Sequence, residues 1–512
     1  MKPWVRDWVG YHGARRPEAP AVTCVERDLT LSWGDLDRRV GRLAHILRDS
    51  FGLQPGDRVA MLAENDTRVF ELQFACMRAG LILVPFSWRL SVGELVVLAG
   101  DAEPGVLFYD ETWRRMGDEI ADAVGIARRV LWSDTVADSP YDQLIEAGAG
   151  ALEGGVHDEA QISHILYTSG TTGLPKGALC SLGTLKHHAI NSAQTSRTSE
   201  RGGHHLNIVP LFHAGGLNTF SNPILYWGGH VTTVRRFDPE TTLRLLTDPA
   251  VGVTHLCGVL QMYELITALP GFAAARFPAL RTGLFGGWGP KTVWVHQTWQ
   301  DRGVFLQLSY GSTEQGPNVS VLEGGRDLAA LNCSGFVGPG VELRLVGPDG
   351  VDVRQGEVGE IWTRGPSITP GYWRRPREDY FTGDWFRTGD CGRLDEAGRL
   401  YIVDRLREVY RSGGENVYPA EVELVLSGAP GVREVAVIAV PDDRWGEVGM
   451  AIVEPAPDSQ VTLEGLLAHA EGKLARFKLP RRFATIEVMP RNATLKIDRP
   501  TLKKTFGGAA AV

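Results

Sequence analysis

Residues 167–177 read Tyr-Thr-Ser-Gly-Thr-Thr-Gly-Leu-Pro-Lys-Gly and directly follow the apolar run 162–167. Glycines allow successive backbone N–H groups to point at one anion, while the hydroxyls and the lysine add donors and positive charge. The stretch therefore predicts a phosphate-binding loop after a buried strand. It is not a Walker loop, because that motif ends in Gly-Lys-Ser/Thr, whereas here Lys176 lies between Pro175 and Gly177. A flexible surface turn is the alternative reading of this composition.

The composition describes an ordinary globular protein of more than one folding unit. The chain has 512 residues, a length that exceeds what one hydrophobic core usually supports. Hydrophobic residues make up 43% of the chain. Its net charge of -8 argues against a broad nucleic-acid-binding face. No stretch approaches ~20 apolar residues, so we expect neither a signal peptide nor a membrane span. The six cysteines lack CxxC pairing, which predicts a reduced, cytoplasmic protein without a structural metal.

Hydrophobic patterning predicts α/β layers in most of the chain. Residues 58–62 form a short apolar strand, 67–79 a helix stopped by Gly80, and 81–85 a second buried strand. The alternation recurs around 205–260 and 280–310, which is typical of parallel sheets with ligands beyond the strand ends. After about residue 405 the pattern changes to short strands of an α+β unit, such as 435–440 and 449–453. We therefore expect two domains, 1–404 and 405–512.

Five further segments follow the loop in a fixed order. Tyr310-Gly311-Ser312-Thr313-Glu314 follows the apolar run 304–308, which predicts a hydroxyl and a carboxylate at the end of a strand. The other pieces are Arg387-Thr388-Gly389-Asp390 with Asp404-Arg405, then Gly413-Gly414-Glu415-Asn416, and finally Arg491-Asn492-Ala493-Thr494-Leu495-Lys496.

Together with the loop, these segments closely resemble the adenylate-forming (AMP-binding) superfamily of acyl-CoA synthetases, firefly-type luciferases and peptide-synthetase adenylation domains. The resemblance covers nearly the whole chain. It implies an α/β fold with a large N-terminal domain and a small mobile α+β C-terminal domain. It also implies the use of ATP, Mg²⁺ and CoA.

The resemblance implies roles for the N-terminal motifs. The loop would hold the β- and γ-phosphates of ATP, Thr313 would touch the α-phosphate, and Glu314 would hold Mg²⁺. His213 would border the acyl pocket and the thiol tunnel. The nucleotide-binding positions in this part of the chain are Thr168, Ser169, Gly170, Thr171, Thr172, Gly173, Lys176, Gly286, Gly287, Trp288, Tyr310 and Gly311.

The C-terminal motifs would complete the chemistry. By the same resemblance, Asp390 accepts from the ribose hydroxyls with Arg405 beside it, and Arg407 is the hinge of the small domain. The loop with Gly413, Gly414 and Glu415 would guide the pantetheine arm of CoA. Lys496 would bridge the substrate carboxylate and an α-phosphate oxygen during adenylation.

One departure from the family pattern concerns that lysine. The family usually reads Thr-Gly-Lys, whereas this chain reads Thr494-Leu495-Lys496. A leucine cannot adopt all the backbone conformations open to glycine, so adenylation could be slow while thioester formation stays intact. The other reading is that Leu495 packs at the domain interface without a kinetic effect.

These observations predict a cytoplasmic, AMP-forming acyl-CoA ligase that converts a hydrophobic carboxylic acid to its CoA thioester through an acyl-adenylate. The closest alternative is an enzyme that performs only thioester formation on a preformed acyl-adenylate. An alternative of another class is a non-catalytic sensor of nucleotide or acyl-adenylate. The expected partners are the acid or its adenylate and CoA, without nucleic acid, and a homodimer is left open.

Overall fold

The chain divides into two compact units, comprising Met1–Gly287, Val293–Glu342 and Thr363–Phe386 in the first and Trp288–Thr292, Leu343–Trp362 and Arg387–Val512 in the second. The structure is a computed structural model, and it describes residues 3–134, 139–168, 175–286, 291–322, 331, 333–406, 408–412, 415–492 and 496–507. The predicted boundary between residues 404 and 405 stays a prediction.

Strands are numbered in chain order. Those up to residue 322 are β1 (Trp4–Arg6), β2 (Pro20–Cys24), β3 (Leu29–Ser32), β4 (Arg58–Leu62), β5 (Ile82–Phe86), β6 (Val106–Asp110), β7 (Arg129–Trp132), β8 (Val156–Asp158), β9 (Ile162–Thr168), β10 (Lys176–Ser181), β11 (His204–Asn207), β12 (His230–Thr233), β13 (His255–Val259), β14 (Thr282–Gly286), β15 (Leu306–Ser312) and β16 (Gly316–Leu322). The later ones are β17 (Phe336–Val337), β18 (Glu342–Val346), β19 (Gly359–Arg364), β20 (Phe381–Thr382), β21 (Trp385–Leu394), β22 (Leu400–Arg405), β23 (Tyr410–Ser412), β24 (Glu415–Val417), β25 (Val432–Asp442), β26 (Gly446–Pro455) and β27 (Arg482–Thr485).

The α-helices are numbered in the same way: α1 (Trp8–Arg15), α2 (Trp33–His45), α3 (Thr67–Ala79), α4 (Val92–Ala102), α5 (Arg114–Val124), α6 (Pro140–Ala147), α7 (Leu182–Ser196), α8 (Ala214–Gly216), α9 (Asn222–Tyr226), α10 (Pro239–Thr247), α11 (Leu260–Thr267), α12 (Thr292–Gln300), α13 (Pro419–Leu426), α14 (Leu463–Ala470) and α15 (Arg499–Phe506). Short 3₁₀ or π turns lie at Ile46–Ser50, Glu111–Trp113, Leu217–Ser221, Pro270–Ala274, Arg377–Asp379 and Arg476–Lys478.

The first unit contains a six-stranded sheet in the order β10-β9-β5-β4-β6-β7. The predicted strand-helix-strand unit is confirmed: β4 pairs in parallel with β5, and α3 connects them. Asp66 caps α3 at its start, and Gly80, at φ +77°, ends it in the left-handed region that favours glycine. Only β10 runs antiparallel to its neighbour, so the β9–β10 hairpin lies at one edge of the sheet.

A nine-stranded sheet in the order β17-β16-β15-β14-β13-β11-β12-β2-β3 forms the other layer of the first unit. Its central strands are parallel, and Gly286 at the end of β14 pairs with Ser309 of β15. Sequence analysis placed a strand at 304–308 with the pentapeptide 310–314 after it. That placement is wrong by a few residues, because antiparallel pairing with β16 extends β15 to Ser312.

The second unit has a core on both faces of a long hairpin. The strands predicted at 435–440 and 449–453 are longer than expected, because β25 and β26 pair over their whole length. Asp442 is opposite Gly446 at one end of the hairpin, and Val432 is opposite Pro455 at the other. Alternate residues bury on opposite faces, with Val437 in one apolar cluster and Ile438 in the other. A second sheet of this unit places β22 antiparallel to β21.

Two further observations concern expectations from composition. All six cysteines are buried free thiols, as expected for a chain without disulfides. Within the described ranges, no helix combines the length and the apolar character needed to cross a bilayer.

Candidate active site

The predicted phosphate loop connects β9 and β10. Thr168 pairs with Lys176 across the hairpin, which brings the two ends of the loop side by side. Gly177 is required by close packing, because a Cβ there would lie 2.6 Å from the Ile165 side chain. Five of the predicted loop positions, Ser169, Gly170, Thr171, Thr172 and Gly173, lie outside the described residues.

Glu314 lies beside this hairpin in the turn between β15 and β16. The Thr168 hydroxyl is 3.3 Å from Glu314 Oε1 and 3.4 Å from the Lys176 carbonyl oxygen, so its single proton can serve either acceptor. The turn is tight: a Cβ on Gly311 would lie 2.3 Å from the Gly316 carbonyl oxygen. The structure therefore brings together four predicted residues of the first unit, Thr168, Lys176, Thr313 and Glu314.

Two residues that sequence analysis missed complete this group. The Tyr372 hydroxyl donates to Glu314 Oε1 at 2.7 Å, and the Lys176 ammonium lies 4.4 Å from the ring centre of Tyr380. Tyr372 is 58 residues from Glu314 along the chain, so no local spacing predicts the contact. We call Thr168, Lys176, Glu314, Tyr372 and Tyr380 the phosphate cluster.

A narrow cavity adjoins the cluster. Burial lowers the pKa of His188 in its wall to about 4, so that imidazole is neutral at physiological pH. Glu314 is then the charged group among the described residues that line it. A larger surface depression, between α10 and residues 269–276, contains none of the predicted site residues. Because Thr313 and Glu314 line the smaller cavity, we regard that cavity as the relevant one.

Other predicted residues of the first unit lie at strand ends or short turns. Tyr310 is buried on β15, and its hydroxyl accepts a hydrogen bond from Gln315 Nε2 at 3.2 Å. Gly286 ends β14 and is exposed, while Gly287 and Trp288 lie outside the described residues. His213 precedes α8, where its Nδ1 accepts from the Gly215 amide at 3.0 Å. This contact assigns the ring proton to Nε2.

In the second unit, Asp390 and Arg405 face each other across β21 and β22. They are register partners, and Arg405 Nε lies 3.4 Å from Asp390 Oδ1. The Asp390 side chain is 13% exposed and that of Arg405 is 52% exposed, so the pair is partly open to solvent. Gly389 lies within β21 at φ +72°, in the left-handed region that favours glycine, and its amide donates to Glu360 Oε1 at 3.1 Å.

Lys496 interacts electrostatically with the same two residues. Lys496 is an exposed residue, and desolvation of its ammonium group lowers its pKa. Arg405 lowers the pKa further, and Asp390 opposes both effects. Solvent contact makes the desolvation partial. We call Asp390, Arg405 and Lys496 the charge cluster. It places three predicted site residues within electrostatic range of one another.

The remaining predicted positions are less informative. Glu415 is exposed at the start of β24, opposite Ser412 in the β23–β24 hairpin. Gly413 and Gly414, the predicted hinge Arg407 and the unusual Leu495 lie outside the described residues. The roles predicted for them stay predictions.

Comparison with known proteins places the chain in a family. The model of the AMP-binding enzyme family matches residues 10–373, and that of the AMP-binding enzyme C-terminal domain matches residues 421–496. A feruloyl-CoA synthase from Amycolatopsis is 37% identical over 96% of this chain and 97% of the relative. An indoleacetate–CoA ligase from Aromatoleum aromaticum is 34% identical, covering 97% of each chain.

The fold agrees with solved structures of the same class. The o-succinylbenzoate CoA synthetase of Bacillus subtilis, solved with ATP and a magnesium ion, superposes with a TM-score of 0.86 at 28% identity, covering 98% of this chain and all of that one. The predicted fold class is therefore confirmed. These relatives give no support to a thioester-only enzyme or to a non-catalytic sensor.

The phosphate cluster also fits the metal that this chemistry uses. Mg²⁺ prefers hard oxygen ligands and usually takes one or two carboxylates together with substrate phosphates. Glu314 supplies such a carboxylate, and both hydrogen bonds to it from the described residues end at Oε1. Among the described residues none donates a hydrogen bond to its Oε2, so that oxygen is the candidate ligand for a cation. The chain belongs to the AMP-binding enzyme family and is an AMP-forming acyl-CoA ligase that uses ATP, Mg²⁺ and CoA.

Proposed function

We propose that this ligase activates a hydrophobic carboxylic acid, and that the phosphate cluster binds the phosphates of Mg²⁺–ATP. The observation that carries the proposal is the position of Glu314 against both ends of the glycine-rich loop, with its Oε1 near the Thr168 hydroxyl. A lone carboxylate near three phosphates would repel them. Glu314 therefore requires a cation between itself and the nucleotide.

Each residue of the phosphate cluster has a role that follows from its chemistry. Lys176 places a positive charge at the C-terminal end of the loop, where it offsets phosphate charge. The Thr168 and Thr313 hydroxyls donate to phosphate oxygens. Bound Mg²⁺ supplies charge neutralisation as pyrophosphate leaves. The chain's own groups thus hold the nucleotide with its α-phosphate accessible to the acid.

The charge cluster has a different role in this proposal. The Asp390 carboxylate accepts from the ribose hydroxyls, and Arg405 lies beside it as its ion-pair partner. Lys496 stabilises the negative charge that develops as the substrate carboxylate attacks the α-phosphate. In thioester formation the CoA sulfur attacks the acyl carbonyl and AMP leaves. AMP is a far better leaving group than hydroxide.

Aryl acids are the first substrates to test. Two relatives that span almost the whole chain are named for feruloyl and indoleacetyl thioesters, both of which are aromatic acyl groups. The reducing environment implied by six free buried thiols supports a cytoplasmic location. A homodimer stays a prediction.

The test is a mass-spectrometric screen of aryl and alkyl acids with ATP, Mg²⁺ and CoA that scores acyl-AMP and acyl-CoA separately. We expect both products from at least one aryl acid, and acyl-AMP alone when CoA is omitted. Acyl-CoA formed only from supplied acyl-AMP would show that adenylation is blocked, which would support the Leu495 hypothesis. Neither product from any acid would contradict the proposed function.

A further inference from the structure

Residues 369–373 lie along β10 and form an additional edge next to the phosphate loop. The Leu179 amide donates to the Gly371 carbonyl oxygen at 3.1 Å, and the Trp373 amide donates to that of Gly177 at 2.8 Å. Between them, Tyr372 forms an antiparallel bridge with Ala178. Backbone pairing on both sides therefore fixes the position of Tyr372 relative to the hairpin.

The same segment is also attached to the turn that carries Glu314. The Thr369 amide donates to the Glu314 carbonyl oxygen at 2.6 Å, and the Thr369 hydroxyl is 2.7 Å from the carbonyl oxygen of Leu179. The segment thus connects β10 to the β15–β16 turn. Its position determines how far the carboxylate of Glu314 lies from the loop.

The Tyr372 hydroxyl is a committed donor to Glu314. It is 2.7 Å from Oε1, and the side chain is buried, with 8% of the residue exposed. A phenol hydroxyl carries one proton to donate, and a carboxylate oxygen accepts it, so this hydrogen bond fixes the orientation of the carboxylate.

The ring of Tyr372 contributes to a second contact. The Lys176 ammonium lies 4.4 Å from the ring centre of Tyr380 and 5.6 Å from that of Tyr372. The two rings lie 4.4 Å apart and are tilted by 58°. Such contacts are worth about 0.5–1 kcal/mol at exposed sites and more when desolvated. The two tyrosines hold the ammonium group in place without neutralising its charge.

We propose that Tyr372 is a positioning residue for Mg²⁺–ATP, because its hydroxyl orients the carboxylate of Glu314 and its ring, with that of Tyr380, holds the ammonium group of Lys176. This inference rests on the proposed function of the phosphate cluster. Tyr372 sets the separation between the Glu314 carboxylate, which holds the cation, and the Lys176 ammonium, which contacts phosphate. It acts through those groups and touches no reacting atom.

The hydrogen bond predicts a specific dependence on Mg²⁺. Without the hydroxyl, Glu314 can rotate and must be reoriented when the cation binds. Hydrogen bonds to charged groups are worth about 1.5–3 kcal/mol, which corresponds to roughly tenfold or more in binding. A purely structural tyrosine would lower stability without changing the Mg²⁺ requirement. A positioning role therefore changes the Mg²⁺ requirement, whereas a structural role changes only the stability of the protein.

The experiment measures ATP binding by calorimetry over a series of Mg²⁺ concentrations, without acid or CoA, for the wild type and Tyr372→Phe. We expect the Mg²⁺ concentration for half-maximal tightening of ATP binding to rise about tenfold. AMP binding without Mg²⁺ should change less than about twofold, since AMP lacks the β- and γ-phosphates. An unchanged Mg²⁺ requirement in a folded Tyr372→Phe protein would overturn the proposal.

A double-mutant cycle tests whether Tyr372 acts through Glu314. In a Glu314→Gln background, Tyr372→Phe should change the Mg²⁺ requirement less than about twofold. A full tenfold effect in that background would contradict the proposed route. Tyr109→Phe is the matched control, because the Tyr109 hydroxyl also donates to a carboxylate, that of Asp118, at 2.6 Å in a different part of the unit. It should leave the Mg²⁺ requirement unchanged.

The contact between the rings and Lys176 has its own variant. Tyr380→Leu removes a ring from under Lys176 and leaves the hydroxyl of Tyr372 in place. We expect ATP binding to weaken about threefold at every Mg²⁺ concentration, with an unchanged Mg²⁺ requirement. No change in ATP affinity would contradict this half of the proposal. If the wild type shows no Mg²⁺-dependent ATP binding, the proposed function of the cluster fails. A normal wild type with an unaffected Tyr372→Phe variant would remove only the inference about Tyr372.

Discussion

The phosphate cluster and the charge cluster hold their ionisable groups in different ways. In the phosphate cluster, Glu314 is fixed by a 2.7 Å hydrogen bond from Tyr372, whose backbone pairs with β10. In the charge cluster, the Arg405 side chain is 52% exposed and its Nε lies 3.4 Å from Asp390 Oδ1, a longer contact. The first arrangement is preorganised, whereas the second is open to adjustment. Binding of the phosphates should therefore depend mostly on the first cluster. In the second cluster, Lys496 should act in the chemical step and Asp390 in binding of the ribose.

The largest expected effect is on the charge cluster. Lys496→Ala should slow acyl-adenylate formation about 10²–10³-fold, because the variant lacks the cation that stabilises developing charge. Thioester formation from supplied acyl-AMP should change less than about threefold. Single-turnover assays of the two steps provide the measurement, with Lys504→Ala on the exposed face of α15 as the control. Equal losses in both steps would contradict a role confined to adenylation.

Asp390→Ala should have a smaller effect, and chiefly on binding. Losing a carboxylate that accepts from two ribose hydroxyls should raise KM for ATP about 10- to 30-fold, with a modest change in kcat. Steady-state kinetics with varied ATP test this. Asp384→Ala is the control, since the Asp384 side chain is 81% exposed and its nearest ion-pair contact is a long one of 3.8 Å. A change in kcat alone would place Asp390 in the chemical step instead.

The two units should also differ in acid sensitivity. Strands β11, β12 and β13 of the first unit carry four histidines, and desolvation lowers the pKa of His204 and His255 to about 4 and that of His205 and His230 to about 3. These groups are neutral when folded but bind protons when unfolded below about pH 6.5. Stability is therefore retained above the unfolded pKa and falls as pH drops towards the folded pKa. The expected slope is about 1.4 kcal/mol per pH unit for each histidine.

Urea unfolding of the wild type and His230→Gln between pH 5 and 7.5 measures this slope. In the variant, the free energy of unfolding should change with pH by about 1.4 kcal/mol per pH unit less than in the wild type, which is the contribution of one histidine. The only histidine of the second unit, His469, is half-buried, so probes in that unit should report less acid sensitivity. Identical slopes for the two proteins would show that His230 does not contribute.

The smallest expected effect is a shift in a pH profile. The lowered pKa of Lys496 means that its charged form is lost as pH rises through a value below that of a free lysine. The rate of adenylation should therefore fall on the alkaline side of the pH profile, at a lower pH than if Lys496 had the pKa of a free lysine. Arg405→Gln should raise the pKa of Lys496 and move that decline to higher pH. A shift to lower pH would contradict the electrostatic account.

Sequence motifs predicted candidate site residues but not the residues that contact and orient them. The glycine-rich loop is a local signal of phosphate chemistry, whereas Glu314, Asp390, Arg405 and Lys496 were predicted from the resemblance to a family, and the roles of all of them stay predictions. The strand-helix-strand unit around α3 was also predictable, because its apolar period and its stop at Gly80 are local signals. Local signals are sufficient where chemistry or helix geometry constrains neighbouring residues.

Other features depend on long-range pairing and could not be predicted in this way. Tyr372 reaches Glu314 only because residues 369–373 pair with β10, and no spacing in the chain encodes that contact. The end of β15 was misplaced for the same reason, since pairing with β16 extends the strand beyond its apolar run. The burial of the histidines on β11, β12 and β13 could not be predicted either, because the sequence does not show whether a histidine in a strand is buried or exposed to solvent.

The central claim is that the phosphate cluster binds Mg²⁺–ATP through Glu314, and one measurement tests it most directly. Isotope exchange between pyrophosphate and ATP, with an accepted acid and a range of Mg²⁺ concentrations, compares the wild type with Glu314→Gln and with Glu342→Gln, a side chain that is 62% exposed. We predict that Glu314→Gln lowers exchange at least about tenfold and that added Mg²⁺ partly restores it, while Glu342→Gln behaves as the wild type. Exchange by Glu314→Gln at the wild-type rate and Mg²⁺ requirement would contradict the claim.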